Sequence, residues 1–189
     1  MRIKLLIFYI FFVSVCAFSF ECDAIDTLFR NSDTLVTKYR CYDNGNKKNG
    51  IVKGWNELGD LVSHYEFRNG IPVGFHKSYY SKNRPKEFTH YNDSGQKHGL
   101  CETWFENGNR KDSVVYNNGK IVEGRYYFRN GKLRYTAKWH DSLKIEMVTF
   151  YPDGRKCSEL KSGTGEIKLF IEDGTKSYQY KYKDGRRID

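Results

Sequence analysis

Asn118-Gly119-Lys120-Ile121-Val122-Glu123-Gly124-Arg125-Tyr126-Tyr127-Phe128-Arg129-Asn130-Gly131-Lys132-Leu133-Arg134-Tyr135-Thr136-Ala137-Lys138-Trp139-His140 is one complete unit of this chain. Its last eight residues alternate. Leu133, Tyr135, Ala137 and Trp139 fall on one side, and Arg134, Thr136, Lys138 and His140 on the other. Period-two alternation bounded by turn residues describes a half-buried antiparallel strand. Asn-Gly suits a two-residue turn, because both central positions need positive φ, which Gly accepts freely and Asn tolerates. The unit reads as a β-hairpin.

The same punctuation runs outward in both directions. Asn-Gly or Asp-Gly stands at 44–45, 69–70, 107–108, 118–119, 130–131, 153–154, 173–174 and 184–185, with Ser94-Gly95 and Leu58-Gly59 in similar places. Gly45, Gly70, Gly95 and Gly119 are 25, 25 and 24 residues apart. Gly59, Arg84, Gly108, Gly131 and Gly154 interleave with them at intervals of 25, 24, 23 and 23. A further glycine follows each member of the first series: Gly50, Gly74, Gly99 and Gly124. A fixed period of this length marks an array of units that lean on their neighbours. Segments 44–67, 68–92, 93–117 and 118–140 are versions of one module, 141–161 and 162–181 are degenerate copies, and 182–189 is a fragment. Alternation persists in the copies, with three tyrosines in Ser177–Lys183 and with Ile167, Leu169 and Ile171. No stretch after residue 34 shows helical spacing, and residues 23–30 are expected as a short helical or irregular lead-in. The expected fold is all-β: an antiparallel meander of about six hairpins and roughly twelve strands, forming an elongated, twisted single sheet.

Composition agrees with a folded array. Of 189 residues 16% are aromatic, with 15 Tyr, 13 Phe and 3 Trp, and rings this dense exclude a disordered or collagen-like chain. Aromatic stripes on successive strands imply a thin sheet held by cross-strand ring pairs, each worth about 0.2–1 kcal/mol. The basic tail 183–187 discourages pairing at the last edge.

The first residues have another purpose. Arg2 and Lys4 precede an apolar run, Leu5 to Val15, broken only by Ser14, and Ala17-Phe18-Ser19 offers small residues where a signal peptidase reads. Residues 1–19 are expected as a signal peptide, 20–38 as the lead-in and 39–189 as the repeat domain. A permanent anchor is less favoured, because spanning a bilayer takes about 20 apolar residues. Lipidation at Cys16 is also less favoured, because Val15 is not small. Export to the periplasm, cell surface or medium follows. Cleavage leaves Cys22, Cys41, Cys101 and Cys157, whose spacing holds no zinc motif. Cys22–Cys41 is the expected disulfide, with Cys101 and Cys157 as packed side chains.

Ser94-Gly95-Gln96-Lys97-His98-Gly99-Leu100-Cys101-Glu102-Thr103-Trp104-Phe105-Glu106-Asn107-Gly108 resembles the repeat of the MORN-repeat variant family, often labelled YwqK-type antitoxins. Asn118 to Gly131 repeats the pattern with Tyr126-Tyr127. Gly70 to Arg84 repeats it with Tyr79-Tyr80, although Lys82-Asn83-Arg84-Pro85 replaces the Asn-Gly turn. The resemblance spans residues 43–140 well and 141–189 loosely. It implies an elongated β-hairpin array used for binding, and its label offers an antitoxin or immunity role against a cognate toxin as the alternative.

No catalytic signature appears, and neither a cofactor nor a metal is called for. His64, His76, His90, His98 and His140 lack ligand spacing, and His98 sits at the turn position before Gly99. Asp43, Asp93, Asp153, Asp173 and Asp184 stand beside turn glycines, which turn chemistry explains. The formal charge is +9. Lys47, Lys48, Arg68, Lys82, Arg84, Lys86, Arg110, Lys111, Lys120, Arg129, Lys132, Arg155, Lys156, Arg186 and Arg187 flank turns and would make basic rims beside an aromatic face. The expectation is a non-enzymatic, exported binding protein. Its partner would be a protein or an anionic envelope polymer or lipid surface, and export makes nucleic acid the least favoured. The sequence assigns no individual binding residue.

Overall fold

The computed structural model of the protein describes residues 25–31, 34–39, 41–42, 48–56 and 58–189, with side chains described from residue 49. The expected signal peptide, Cys22, the side chain of Cys41 and the Asn44-Gly45 turn lie outside the described residues. Among the described residues every element is a strand. β1 (Ile25–Asn31) and β2 (Thr34–Tyr39) pair with each other. The expected helical or irregular lead-in is therefore corrected to a hairpin: Thr34, Val36 and Thr37 in β2 are β-branched, and residues of that type favour strand pairing.

The main sheet is an antiparallel meander in strict chain order. It runs through β3 (Cys41–Tyr42), β4 (Lys48–Trp55), β5 (Leu61–Arg68), β6 (Ile71–Ser81), β7 (Arg84–Tyr91), β8 (Gly99–Trp104), β9 (Arg110–Asn117), β10 (Lys120–Tyr127), β11 (Leu133–His140), β12 (Leu143–Phe150) and β13 (Lys156–Leu160). It does not close into a barrel. The degenerate copies end it. β14 (Gly165–Phe170), β15 (Ser177–Lys183) and β16 (Arg186–Arg187) form a separate three-stranded sheet.

The turns are of two types, segregated to the two margins except that the Asn92–Gln96 turn takes the longer form on the first margin. On one margin Asn69-Gly70, Asn118-Gly119, Asp141-Ser142, Ser162-Gly163 and Asp184-Gly185 have both residues at positive φ, as two-residue turns require. On the other margin the same dipeptides sit in longer turns. Phe105 N–H bonds to the Asn109 carbonyl at 2.8 Å and Gly108 N–H to the Phe105 carbonyl at 2.9 Å, and only Gly108 has positive φ. Phe128–Lys132 and Tyr151–Arg155 repeat this geometry around Gly131 and Gly154. This corrects the uniform two-residue assignment. In these turns the Asn or Asp stays at negative φ and its side chain accepts the amide two residues on, as Asn107 does from Asn109 at 3.1 Å and Asp153 from Arg155 at 2.9 Å.

One face carries the core. Cys101, Val114, Gly124, Ala137, Met147 and Leu160 stand directly opposite one another from β8 to β13. Ile167 of β14 seats on the end of this row, buried with Ala137, Met147 and Leu160, while Tyr135, Trp139, Leu169 and Tyr182 pack around them. The small sheet thus covers the meander's last strands. Phe105 and Phe128, the first residues of their turns, are 3% and 1% exposed and anchor the margin. Cys101 is a buried free thiol and Cys157 a half-buried one, as expected of packed side chains.

Candidate functional site

The core face continues beyond the strands that β14 covers. Two residues along from the small-residue row lies a second, polar row. It runs unbroken across ten strands: Gly54, Ser63, Ser78, Glu87, Thr103, Asp112, Tyr126, Tyr135, Thr149 and Ser158, each opposite the next. Period-two alternation places both rows on one face. A third row sets aromatics opposite glycines: Phe67 and Gly50, Tyr91 and Gly74, Tyr116 and Gly99. Gly50, Gly74 and Gly99 have φ of 94°, 64° and 73°, so the second glycine of the repeat marks an irregular backbone position in register with an aromatic residue. Gly124 differs. It lacks positive φ, and a Cβ there would stand 2.7 Å from the Tyr126 ring.

The two ends of this face differ in cover. Under β14, the Thr149 and Ser158 hydroxyls bond at 2.6 Å, and Ser158 Oγ accepts the Lys168 amide at 3.0 Å. Thr149 is fully buried there. Tyr126 and Tyr135 stack at 4.1 Å with planes 12° apart. Burial pushes the Tyr126 phenol up to about 12 and raises Tyr135 as well, with the neighbouring Asp112 carboxylate opposing ionisation of both.

Over β5 to β9 the rings are only half-buried. His76 sits between Tyr65 at 5.1 Å, Phe67 at 5.4 Å and Tyr91 at 4.7 Å, and its Nε2 meets the Glu66 carbonyl at 2.8 Å. Burial lowers its pKa. Tyr65, Tyr91 and Tyr116 are raised, first by burial, with Glu87 contributing to each. Among these rings stand two carboxylates. Glu87 accepts the Thr89 hydroxyl at 2.8 Å and Asp112 the Thr103 hydroxyl at 2.6 Å. Neither has an ion-pair partner among the described residues. An open cleft of about 460 Å³ lies beside Tyr65, Ser78, Tyr80 and Glu87, with Asn56, Val62, Tyr79 and Lys86 completing its wall. Such a surface can stack planar or apolar groups, donate from hydroxyls and accept cations.

The rims are less basic than their residue list implies. Arg68 pairs with Asp93 at 2.8 Å, Lys111 with Glu172 at 3.2 Å, and Arg155 with Asp153 at 2.8 Å. Arg84, Arg110, Lys120, Lys156 and Arg187 also have carboxylate partners within 4 Å. Several of these join successive turns, so the rim charges knit the array. The opposite sheet face also exposes apolar groups, with Phe75 at 51%, its ring 5.5 Å from Phe88 and 4.7 Å from His90, and Leu100 at 49%.

Asp153 and Asp173 accept the amide two residues on within their turns, Asp184 sits at φ of 50°, Asp93 pairs with Arg68, Asp43 lies outside the described residues, and His98 Nδ1 meets the Asn118 amide at 3.4 Å within the margin. The structure does not gather the five histidines into one group, and among the described residues no three potential metal ligands cluster. Glu87 and Asp112 were not singled out from sequence. The signal was available: each alternates in phase with Thr89 and Tyr91, or with Val114 and Tyr116. The chain matches no protein-family model, and no curated protein sequence matches it.

Proposed function

We propose that the chain is an exported, non-enzymatic binding protein that holds a protein partner along its tyrosine-lined face. The observation that carries this reading is the unbroken row from Gly54 to Ser158, which leaves half-buried rings and hydroxyls over β5 to β9 while β14 covers only its end. Half-buried tyrosines supply large contact area at small entropic cost, which favours an interface over a reaction centre. The turn-bound acids support a structural use of most carboxylates, and the shared rim cations favour the face over the margins. Export is supported by the charged start and apolar run of residues 1–19.

The test is capture from envelope extract by the full chain and two variants. Tyr91→Ser with Tyr116→Ser is expected to lose the captured partner, and Phe75→Ser with Leu100→Ser on the opposite face to keep it. Loss with the second pair alone would overturn the reading.

A further inference from the structure

We propose that the part of the tyrosine face over β5 to β9, which β14 leaves uncovered among the described residues, docks an extended segment of a partner protein bearing lysine or arginine side chains. This rests on the reading of that face as the binding surface and adds the chemistry of what it takes.

Charge gives the first argument. The acids of the margins share cations: Asp93 with Arg68, Glu106 with Arg84, Asp141 with Lys120. Among the described residues, Glu87 and Asp112, in a chain of formal charge +9, accept only threonine hydroxyls. An ionised carboxylate has two oxygens and about four acceptor positions, so each retains most of its capacity. Both project among tyrosine rings, and a carboxylate beside ring faces suits an ammonium or guanidinium group.

Continuity gives the second. At the covered end the occupant of this face is known, because it is the chain's own extended strand β14. Ser158 of the polar row accepts the Lys168 amide there, so a row side chain holds an overlying backbone. Ser63, Ser78 and Thr103 present the same hydroxyl chemistry in the uncovered part of that row. Glu87 and Asp112 are two strands apart, about 10 Å at the backbone, and same-side residues of an extended segment are about 7 Å apart. Lysine and arginine stems span the difference.

The experiment measures fluorescence anisotropy of a short labelled peptide alternating lysine with valine, added to the full chain, beside glutamine-for-lysine and glutamate-for-lysine versions. The lysine peptide is expected to bind about tenfold more tightly than the glutamine one, to weaken as salt rises, and to lose about tenfold on the isosteric double change Glu87→Gln, Asp112→Asn. The peptide and salt comparisons use the unaltered chain, so they decide even where the double variant misfolds. Equal binding of lysine and glutamine peptides overturns the charge proposal. If that binding disappears in Tyr91→Ser, Tyr116→Ser, the face reading stands; if it persists, the face reading falls too. No binding of any peptide, or tighter binding of the glutamate peptide, overturns the proposal. A full chain with Arg2→Gln and Lys4→Gln that binds the lysine peptide about tenfold more tightly would make the chain's own N-terminus the occupant and also overturn it.

Discussion

The carbonyl of Gly163 accepts the amide of Gly185 at 2.9 Å, and the Gly163 amide is itself donated to Ile145 at 2.9 Å. The turns at residues 162–163 and 184–185 are thereby stacked backbone to backbone on the start of β12, where the Lys144 amide also meets the Gly185 carbonyl at 3.2 Å. The small sheet hangs on this stack. A Cβ on Gly163 would stand 2.5 Å from the Gly185 nitrogen, and Gly163 has φ of 73°. Gly108, by contrast, has φ of 88° with nothing within 4 Å of the Cβ position. Gly108→Ala is expected to cost about 1 kcal/mol, the left-handed penalty alone, and Gly163→Ala about 3 kcal/mol, because backbone must also move. Urea unfolding of both variants measures the difference, and equal losses would contradict the stacking.

The longer turns are linked by side chains as well. Asn130 Oδ1 accepts the Lys132 amide at 3.0 Å within its turn, and Nδ2 donates to the Pro152 carbonyl of the next turn at 3.2 Å. Asn130→Asp keeps the first bond and loses the second, whereas Asn130→Ala loses both. Expected losses are about 0.5–1 kcal/mol for Asp and about 1–2 kcal/mol for Ala, read from thermal melting. An Asp variant as unstable as the Ala variant would make the link between turns decisive and the bond within the turn irrelevant.

Stability is expected to fall at both ends of the pH scale for different residues. His76 has a lowered pKa because burial among three rings disfavours its cation. The unfolded chain takes that proton near pH 6.5, so this contribution is complete above about 6.5 and is lost as pH drops below it. Tyr126 is raised to about 12 from 10.0 by burial, so its contribution is complete below about 10 and is lost as pH climbs towards 12. His76→Phe is expected to flatten the acid limb and Tyr126→Phe the alkaline limb of denaturation midpoint against pH. Unchanged limbs would contradict those environments.

The meander was legible because its turns are punctuated in the sequence. Turn type was less so. Asn107-Gly108 and Asn118-Gly119 are the same dipeptide, yet only the second has both residues at positive φ. What separates them is the residue two before the Asn: Phe105 is buried, which lengthens the turn around its anchor. The covering of the face by β14 was also hidden, because Ser162-Gly163 makes a two-residue turn with the same geometry as those of the meander. The departure comes after it, where backbone pairing stops at the isolated Lys161–Thr164 bridge between β13 and β14 and Ile167 turns onto Ala137 and Met147. Glu87 and Asp112 escaped notice because acids beside turn glycines drew the reading of carboxylates to the margins.

Hydroxyl-radical footprinting of the full chain, with and without the lysine–valine peptide, tests the central claim most directly, since it reads aromatic side chains one by one. Tyr91 and Tyr116 are expected to lose oxidation when the peptide is bound, with Phe75 and Tyr178, 51% and 54% exposed, unchanged. Protection of Phe75 with Tyr91 and Tyr116 still oxidised would put the ligand on the other side of the sheet and contradict the account.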